Sequence, residues 1–190
     1  MGLAKHFMNP RGFGGRVAGW IMGRRGSNVT RNRWVVDLLE LGPGDRVLEI
    51  GCGPGVAVEA ALAAGAEVVA VDPSDVMRAM AAKRNPDATI LEGDADHLPE
   101  GPFTAAWAVN TVQFWPDVDR TLVDLRGRLA PGGRVALALQ PRMKGATDED
   151  ARRRAEENAA RLTAAGYLDA RTEHLDLRPV GCGVALARVS

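Results

Sequence analysis

Val47-Leu48-Glu49-Ile50-Gly51-Cys52-Gly53-Pro54-Gly55-Val56 decides the fold of this chain. A short apolar run, interrupted by one carboxylate, enters three glycines at alternate positions, and residues 56–64 continue with small and apolar side chains of helical character. Strand, glycine-rich turn and helix in that order place a helix N-terminus and free backbone N–H groups at a strand's carboxyl end. That geometry receives a polar or anionic nucleotide-like ligand. A dinucleotide turn spaces its glycines Gly-x-Gly-x-x-Gly, which asks for a third glycine where this chain has Val56. Glu49, two residues before the first glycine, repels a pyrophosphate and attracts an ammonium or a sulfonium.

The chain on either side alternates in a regular way. Residues 46–50 read as a strand, 56–64 as a helix ended by Gly65, and 67–71 as a second strand; Ser74 caps a helix running to residue 84. Strands follow at 88–91 and 104–109, then a helix over 118–129 stopped by Pro131-Gly132-Gly133, and a fifth strand over 134–139. Thr147 and Asp150 are spaced as a capping box for a long polar helix to residue 165. Strands at 171–177 and 184–189 close the chain. Repeated strand–helix units imply an α/β, doubly wound, mostly parallel seven-stranded sheet covered on both faces. The last two strands are joined by about six residues, too few for a parallel crossover of a dozen or more, so one of them is antiparallel.

In such a sheet the ligand lies beyond the strand carboxyl ends. After the second strand comes Asp72, 21 residues beyond Gly51, a station at which a carboxylate accepts both hydroxyls of a ribose. After the third comes Gly93-Asp94-Ala95, where an aspartate can accept from an adenine amino group and the next backbone N–H can donate to the ring. After the fourth come Asn110-Thr111-Val112-Gln113-Phe114-Trp115, polar and aromatic side chains suited to a pocket mouth.

Four segments, Val47 to Gly55, Val-Val-Ala-Val-Asp-Pro-Ser (68–74), Glu-Gly-Asp-Ala-Asp-His-Leu-Pro (92–99) and Leu-Ala-Pro-Gly-Gly-Arg (129–134), are collinear and resemble the successive motifs of the class I S-adenosylmethionine-dependent methyltransferases. The resemblance spans about residues 35 to 140 and is closest to the small-molecule branch that includes the ubiquinone/menaquinone methyltransferases. It implies the Rossmann-like methyltransferase fold and S-adenosylmethionine as cofactor, with S-adenosylhomocysteine as product. Gly51, Cys52, Gly53 and Gly55 would lie under the methionine part and Glu49 would orient its ammonium. Asp72, with Pro73 and Ser74, would hold the ribose; Gly93, Asp94 and Ala95 would meet the adenine, with Met77 against its ring. The backbone at Asn110 would contact the amino-acid end. Methyl transfer by in-line displacement to a small-molecule acceptor is the implied reaction. Trp20, Gln113 and Trp115 are candidate substrate contacts. The sequence names no catalytic base: His6, His97 and His174 all have ordinary explanations in a terminus, a loop and a late strand.

Composition limits the classes further. A chain of 190 residues supports one domain with a sizeable core. No run reaches the ~18 apolar residues of a membrane span, and no secretory signal is evident, so a cytoplasmic protein is expected. Its two cysteines, Cys52 and Cys182, lack metal-ligand spacing, and no metal is expected. Residues 1–36 carry seven of the 24 basic residues and no acid, leaving 17 basic against 24 acidic residues in the remainder. Phe13, Val17, Trp20 and Ile21 fall on one helical face there. Residues 1–34 therefore read as a basic helical lid over a cofactor-binding domain of residues 35–190. A membrane-surface contact delivering a lipid or quinone is the alternative for that segment. A nucleic-acid acceptor is disfavoured, because Asn110-Thr111-Val112-Gln113 lacks the proline pair and adjacent aromatic that hold a flipped base. A cofactor-binding protein without catalysis is the non-enzyme alternative.

Overall fold

A computed structural model describes residues 26–190. The helical face of Phe13, Val17, Trp20 and Ile21, and His6 before it, lie outside the described residues. The elements are α1 (Gly26–Asp37), β1 (Arg46–Ile50), α2 (Val56–Ala63), β2 (Glu67–Asp72), α3 (Asp75–Arg84), β3 (Thr89–Glu92), β4 (Phe103–Val109), a 3-10 turn (Val112–Phe114), α4 (Val118–Arg126), β5 (Leu129–Leu139), α5 (Asp148–Ala164), β6 (Leu168–Leu175) and β7 (Cys182–Arg188).

Seven strands form one sheet in the order β3-β2-β1-β4-β5-β7-β6. Strands β1 to β5 pair in parallel, whereas β7 is antiparallel to both β5 and β6. The carboxyl ends of β1 to β6 therefore share one edge, where β7 begins. Alternation along the strands separates two cores. Leu48, Ile50, Ala106 and Leu137 face one side with Leu122 of α4 and Leu162 of α5. Val47, Ala105, Trp107 and Leu186 face the other with Val35 of α1 and Leu39 just after it, Ala57 and Ala61 of α2, and Ala81 of α3. This is the doubly wound, Rossmann-like arrangement expected, with the antiparallel strand near the C-terminus.

Caps and turns follow from local chemistry. Ser74 Oγ accepts from Met77 N–H to open α3, and Thr147 and Asp150 form the reciprocal capping box of α5. Several boundaries differ from the sequence reading. Within α1, Asn28 turns inward and its Oδ1 accepts a hydrogen bond from Arg31. Helix α4 stops at Arg126, because Leu129 already pairs with Phe103; Pro131-Gly132-Gly133 is an irregularity inside β5. Val189 N–H donates to Gly133 carbonyl at 2.9 Å, which keeps that segment in the sheet. Strand β6 starts three residues early, with a register break beside Asp169, whose φ is +54°. Strand β7 starts at Cys182, two residues ahead of the expected position.

Helix α5 lies directly on β7 at Gly183, where an added Cβ would stand 2.2 Å from the Ala151 carbonyl oxygen. Neither backbone can yield without separating helix and sheet. Gly183→Ala should therefore lower stability by about 1–3 kcal/mol, read as a smaller urea midpoint; an unchanged midpoint would contradict this packing.

Candidate cofactor site

The turn after β1 is left-handed at all three glycines, with φ of +79° at Gly51, +53° at Gly53 and +77° at Gly55. Two of the three are glycine because of the protein itself. A Cβ on Gly51 would stand 2.5 Å from Thr111 Cγ2, and one on Gly55 would stand 2.4 Å from Asn85 Nδ2. Gly53 differs: a Cβ there would meet nothing within 4 Å. The chain thus leaves open space over the middle of the turn, where a ligand can approach the backbone.

Three side chains from three other elements hold this turn. Thr111, after β4, donates through Oγ1 to Ile50 carbonyl at 2.8 Å. Asn85, at the end of α3, donates through Nδ2 to Gly55 carbonyl at 2.9 Å. Asp72, the last residue of β2, accepts Gly53 N–H at 2.8 Å on Oδ2 and Ser74 N–H at 2.9 Å on Oδ1. Sequence reasoning missed Asn85 and placed Thr111 only at a pocket mouth; both act through backbone groups distant in the chain. Asp72 is buried, and burial pushes its carboxyl up, opposed by the N–H groups of Ser74 and Gly53 and by Arg78. Arg78 itself donates to Asp72 carbonyl at 3.0 Å and pairs with Glu92 at 3.2 Å.

Glu49 lies beneath the turn, 2% exposed, on the sheet face covered by α1 and α2. Its Oε2 has no hydrogen-bond partner, and no cation pairs with it among the described residues. Burial drives its carboxyl well above the usual range, and the charge of Asp72 adds to the rise. The Trp107 indole and the Val58 backbone pull the other way, although Trp107 Nε1 makes no hydrogen bond of standard geometry. A buried acceptor left without a donor is costly unless a ligand supplies one. Cys52 is buried beside it, and burial raises its thiol well above the ordinary value; this is a packed thiol and not a nucleophile.

The remaining sequence-designated residues line the same carboxyl edge. Pro73 and Ser74 follow Asp72, and Met77 is buried at the start of α3. Asp94 Oδ1 accepts Asp96 N–H at 3.0 Å and meets His97 Nδ1 at 2.8 Å. Ala95 is buried, and Gly93 sits where a Cβ would stand 2.9 Å from His97 carbonyl oxygen. Asn110 has φ of +58°; its carbonyl accepts from Gln113 Nε2 at 2.8 Å and its Oδ1 accepts Gln140 N–H at 2.7 Å. Trp115 turns into the core with Val112, and Phe114 is the aromatic that faces solvent. His174 lies on the far edge strand β6, apart from these groups.

The buried carboxyl of Glu49 makes stability depend on pH with a defined sign. Its folded pKa exceeds the ordinary value of 4.5, so the unfolded chain releases the proton first as pH rises. Stability is fully retained below that value and declines through it toward the folded pKa. Glu49→Gln should remove this decline and raise stability at pH 8 by about 1–3 kcal/mol, with little change at pH 4; parallel pH curves for the two proteins would refute the assignment.

The residues fit S-adenosylmethionine on the structure's own terms: an orphaned buried carboxylate for a cationic ligand, open space over Gly53, and Asp72 beside it. Comparison with known proteins agrees. The methyltransferase domain family matches residues 48–137. The chain is 29% identical over 169 residues to the uncharacterized methyltransferase YdaC of Bacillus subtilis, spanning 86% of this chain and 92% of that one. It is 32% identical over 108 residues to a demethylmenaquinone methyltransferase of Renibacterium salmoninarum, spanning 56% of this chain and 46% of that one. Among solved structures, magnesium protoporphyrin IX methyltransferase of Synechocystis with bound S-adenosylmethionine superposes with a TM-score of 0.75 at 19% identity, over 99% of this chain and 96% of that one. A Haloferax volcanii methyltransferase in complex with its activator Trm112 superposes with a TM-score of 0.76 at 18% identity, over 91% and 94%. Sheet order, glycine turn and relatives converge: residues 48–137 match the methyltransferase domain, and the chain has the fold of the class I S-adenosylmethionine-dependent methyltransferases.

Proposed function

We propose that the protein methylates a small-molecule acceptor by in-line displacement, with the acceptor held over the β4 and β5 strand ends. The observation that carries the placement is the buried, unpartnered Glu49 oxygen under a turn whose central glycine faces open space. In this reading Glu49 faces the ammonium of the methionine part, while Gly51, Cys52, Gly53 and Gly55 form the floor beneath it. Each Asp72 oxygen already accepts one backbone N–H and keeps a lone pair for one ribose hydroxyl. Gly93, Asp94 and Ala95 flank the adenine, Met77 backs it, and Asn110 meets the amino-acid end.

The bound cofactor supplies a methyl group already activated by its positive sulfur. The chain's own residues therefore have to position the acceptor and exclude water rather than generate a strong electrophile. A base is required only if the acceptor atom must lose a proton. His97 is exposed and engaged by Asp94, which makes it a poor choice. Residues 1–34 are read as a lid that completes the pocket, with Trp20 and Gln113 as candidate substrate contacts; Trp115, buried in the core, is not one. Among the described residues no helix is long and apolar enough to cross a membrane, and a cytoplasmic enzyme is the reading adopted. The demethylmenaquinone methyltransferase relative favours a quinone acceptor as the second reading.

Calorimetry on the full chain tests the cofactor placement. S-adenosylhomocysteine should bind and NAD should not; NAD binding in its absence would sink the reading. Asp72→Ala should weaken S-adenosylhomocysteine by ~1.5–3 kcal/mol, the range for hydrogen bonds to a charged group, and unchanged affinity would misplace the ribose. Gly53→Ala should keep the fold, with about 1 kcal/mol of backbone strain, yet lower affinity at least about tenfold. Tight binding by that folded variant would contradict ligand approach over the turn.

A further inference from the structure

The half of the carboxyl edge beyond β4 holds two guanidiniums aimed at one neutral oxygen. Gln140, the residue after β5, accepts at Oε1 from Arg31 Nη1 at 2.7 Å and from Arg142 Nη2 at 2.9 Å. Its Nε2 is anchored to Val180 carbonyl at 2.6 Å. Arg31 comes from the buried face of α1 and is 4% exposed; Gln140 is 1% exposed. The second Nη of Arg31 donates to Asn28 Oδ1, and its Nε is buried without a partner.

Every partner of Arg31 among the described residues is thus an uncharged amide oxygen. The first 36 residues contain no Asp or Glu, so the preceding segment has no side-chain carboxylate to offer. The Cys182 thiol beside it is pushed up to about 12 by burial and is neutral near pH 7. Burial, reinforced by the charge of Arg142 and opposed by Cys182, lowers the Arg31 guanidinium to about 10. A buried cation without a counter-charge is unfavourable, and a second cation on the same acceptor makes it more so. Two guanidinium forks converging on one point are the geometry that binds a carboxylate through charge-assisted hydrogen bonds.

Position indicates whose carboxylate it is. Gln140 N–H donates to Asn110 Oδ1 at 2.7 Å, which sets the arginine pair one strand beyond the β4 loop. The pair lies on the side away from β1, β2 and β3, whose ends carry Glu49, Asp72 and Asp94. We propose that Arg31 and Arg142 receive the carboxylate of the methyl acceptor, so that the acceptor is an organic acid. Gln140 holds the two guanidiniums in register, and Arg142, at an exposed position, opens the site to solvent. The proposal rests on the methyl-transfer reading of this edge.

Benzoate and benzamide, alike in shape and different in charge, are the probes. Each is titrated by calorimetry into the full chain saturated with S-adenosylhomocysteine. Benzoate should bind about tenfold more tightly than benzamide, or better. Arg31→Gln and Arg142→Gln should each bring the two probes to within about twofold, while S-adenosylhomocysteine affinity stays within about twofold of the parent. The Arg142 variant, at an exposed position, carries the test if Arg31→Gln does not fold. Equal binding of the two probes, or a preference for benzoate that survives both substitutions, overturns the proposal. A loss of about tenfold or more in S-adenosylhomocysteine affinity on Arg31→Gln would assign the guanidinium to the cofactor's own carboxylate and also overturn it. Failure of the parent to bind S-adenosylhomocysteine would sink the methyltransferase reading instead, and the benzoate preference is then measured on the protein alone.

Discussion

The carboxylate of Asp72 accepts one backbone N–H from each of the two loops that frame the sheet's carboxyl edge, and the site depends on that pair of hydrogen bonds. Gly53 and Ser74 belong to the turns after β1 and β2, and neither turn has a regular hydrogen-bond ladder to fix it. Asp72 supplies the missing acceptor for both, at the cost of burying its charge. Asn85 and Thr111 complete the support from the end of α3 and from the β4 loop. The left-handed glycine turn is therefore a preorganised surface rather than a loop that must be ordered on binding. Preorganisation of this kind reduces the entropy that ligand binding has to overcome.

Glu49 shows the opposite bargain. A carboxylate 2% exposed, with one oxygen unpaired, is a poor choice for the stability of an empty fold. Its neighbours are otherwise apolar or small, and a glutamine or leucine would satisfy β1 equally well as a strand. The residue makes sense when a cation is brought to it, since charge pairing in a low-dielectric site is far stronger than in water. The same environment that penalises Glu49 in the free protein enhances its discrimination for a positively charged ligand.

Much of this was legible in the chain because it is local. Apolar runs broken by glycine gave β1 to β4 close to their observed positions, and Ser74 and the Thr147/Asp150 pair marked helix starts through chemistry that acts within three residues. Pro131-Gly132-Gly133 misled because a turn signal is also what an irregular strand looks like; long-range pairing to Phe103 and Val189 decides between them. Asp169 was illegible for the same reason, since only the pairing of Leu168 with Arg188 carries β6 past its bend. The supports of the turn act across 30 residues for Asn85 and 61 for Thr111. The contact of Arg31 with Gln140 spans 109 residues, and no periodicity in either segment announces it.

Charge is distributed unevenly along the edge, with Arg78 paired to Glu92 in the more acidic half and Asp148 beside the start of β7 in the more basic one. Glu49, Asp72, Glu92 and Asp94 stand at or near the ends of β1 to β3, whereas Arg31 and Arg142 gather beyond β4. A methyl donor is cationic at its sulfonium and its ammonium, so the acidic half attracts it and the basic half does not. An acceptor drawn to the basic half would meet the donor across the β4 loop, with Asn110 between them bonded to Gln140. Opposite fields at the two ends of one cleft orient two different ligands before either makes close contact. The formal charge of the whole chain is zero, so that orientation comes from the arrangement of charges and not from their sum.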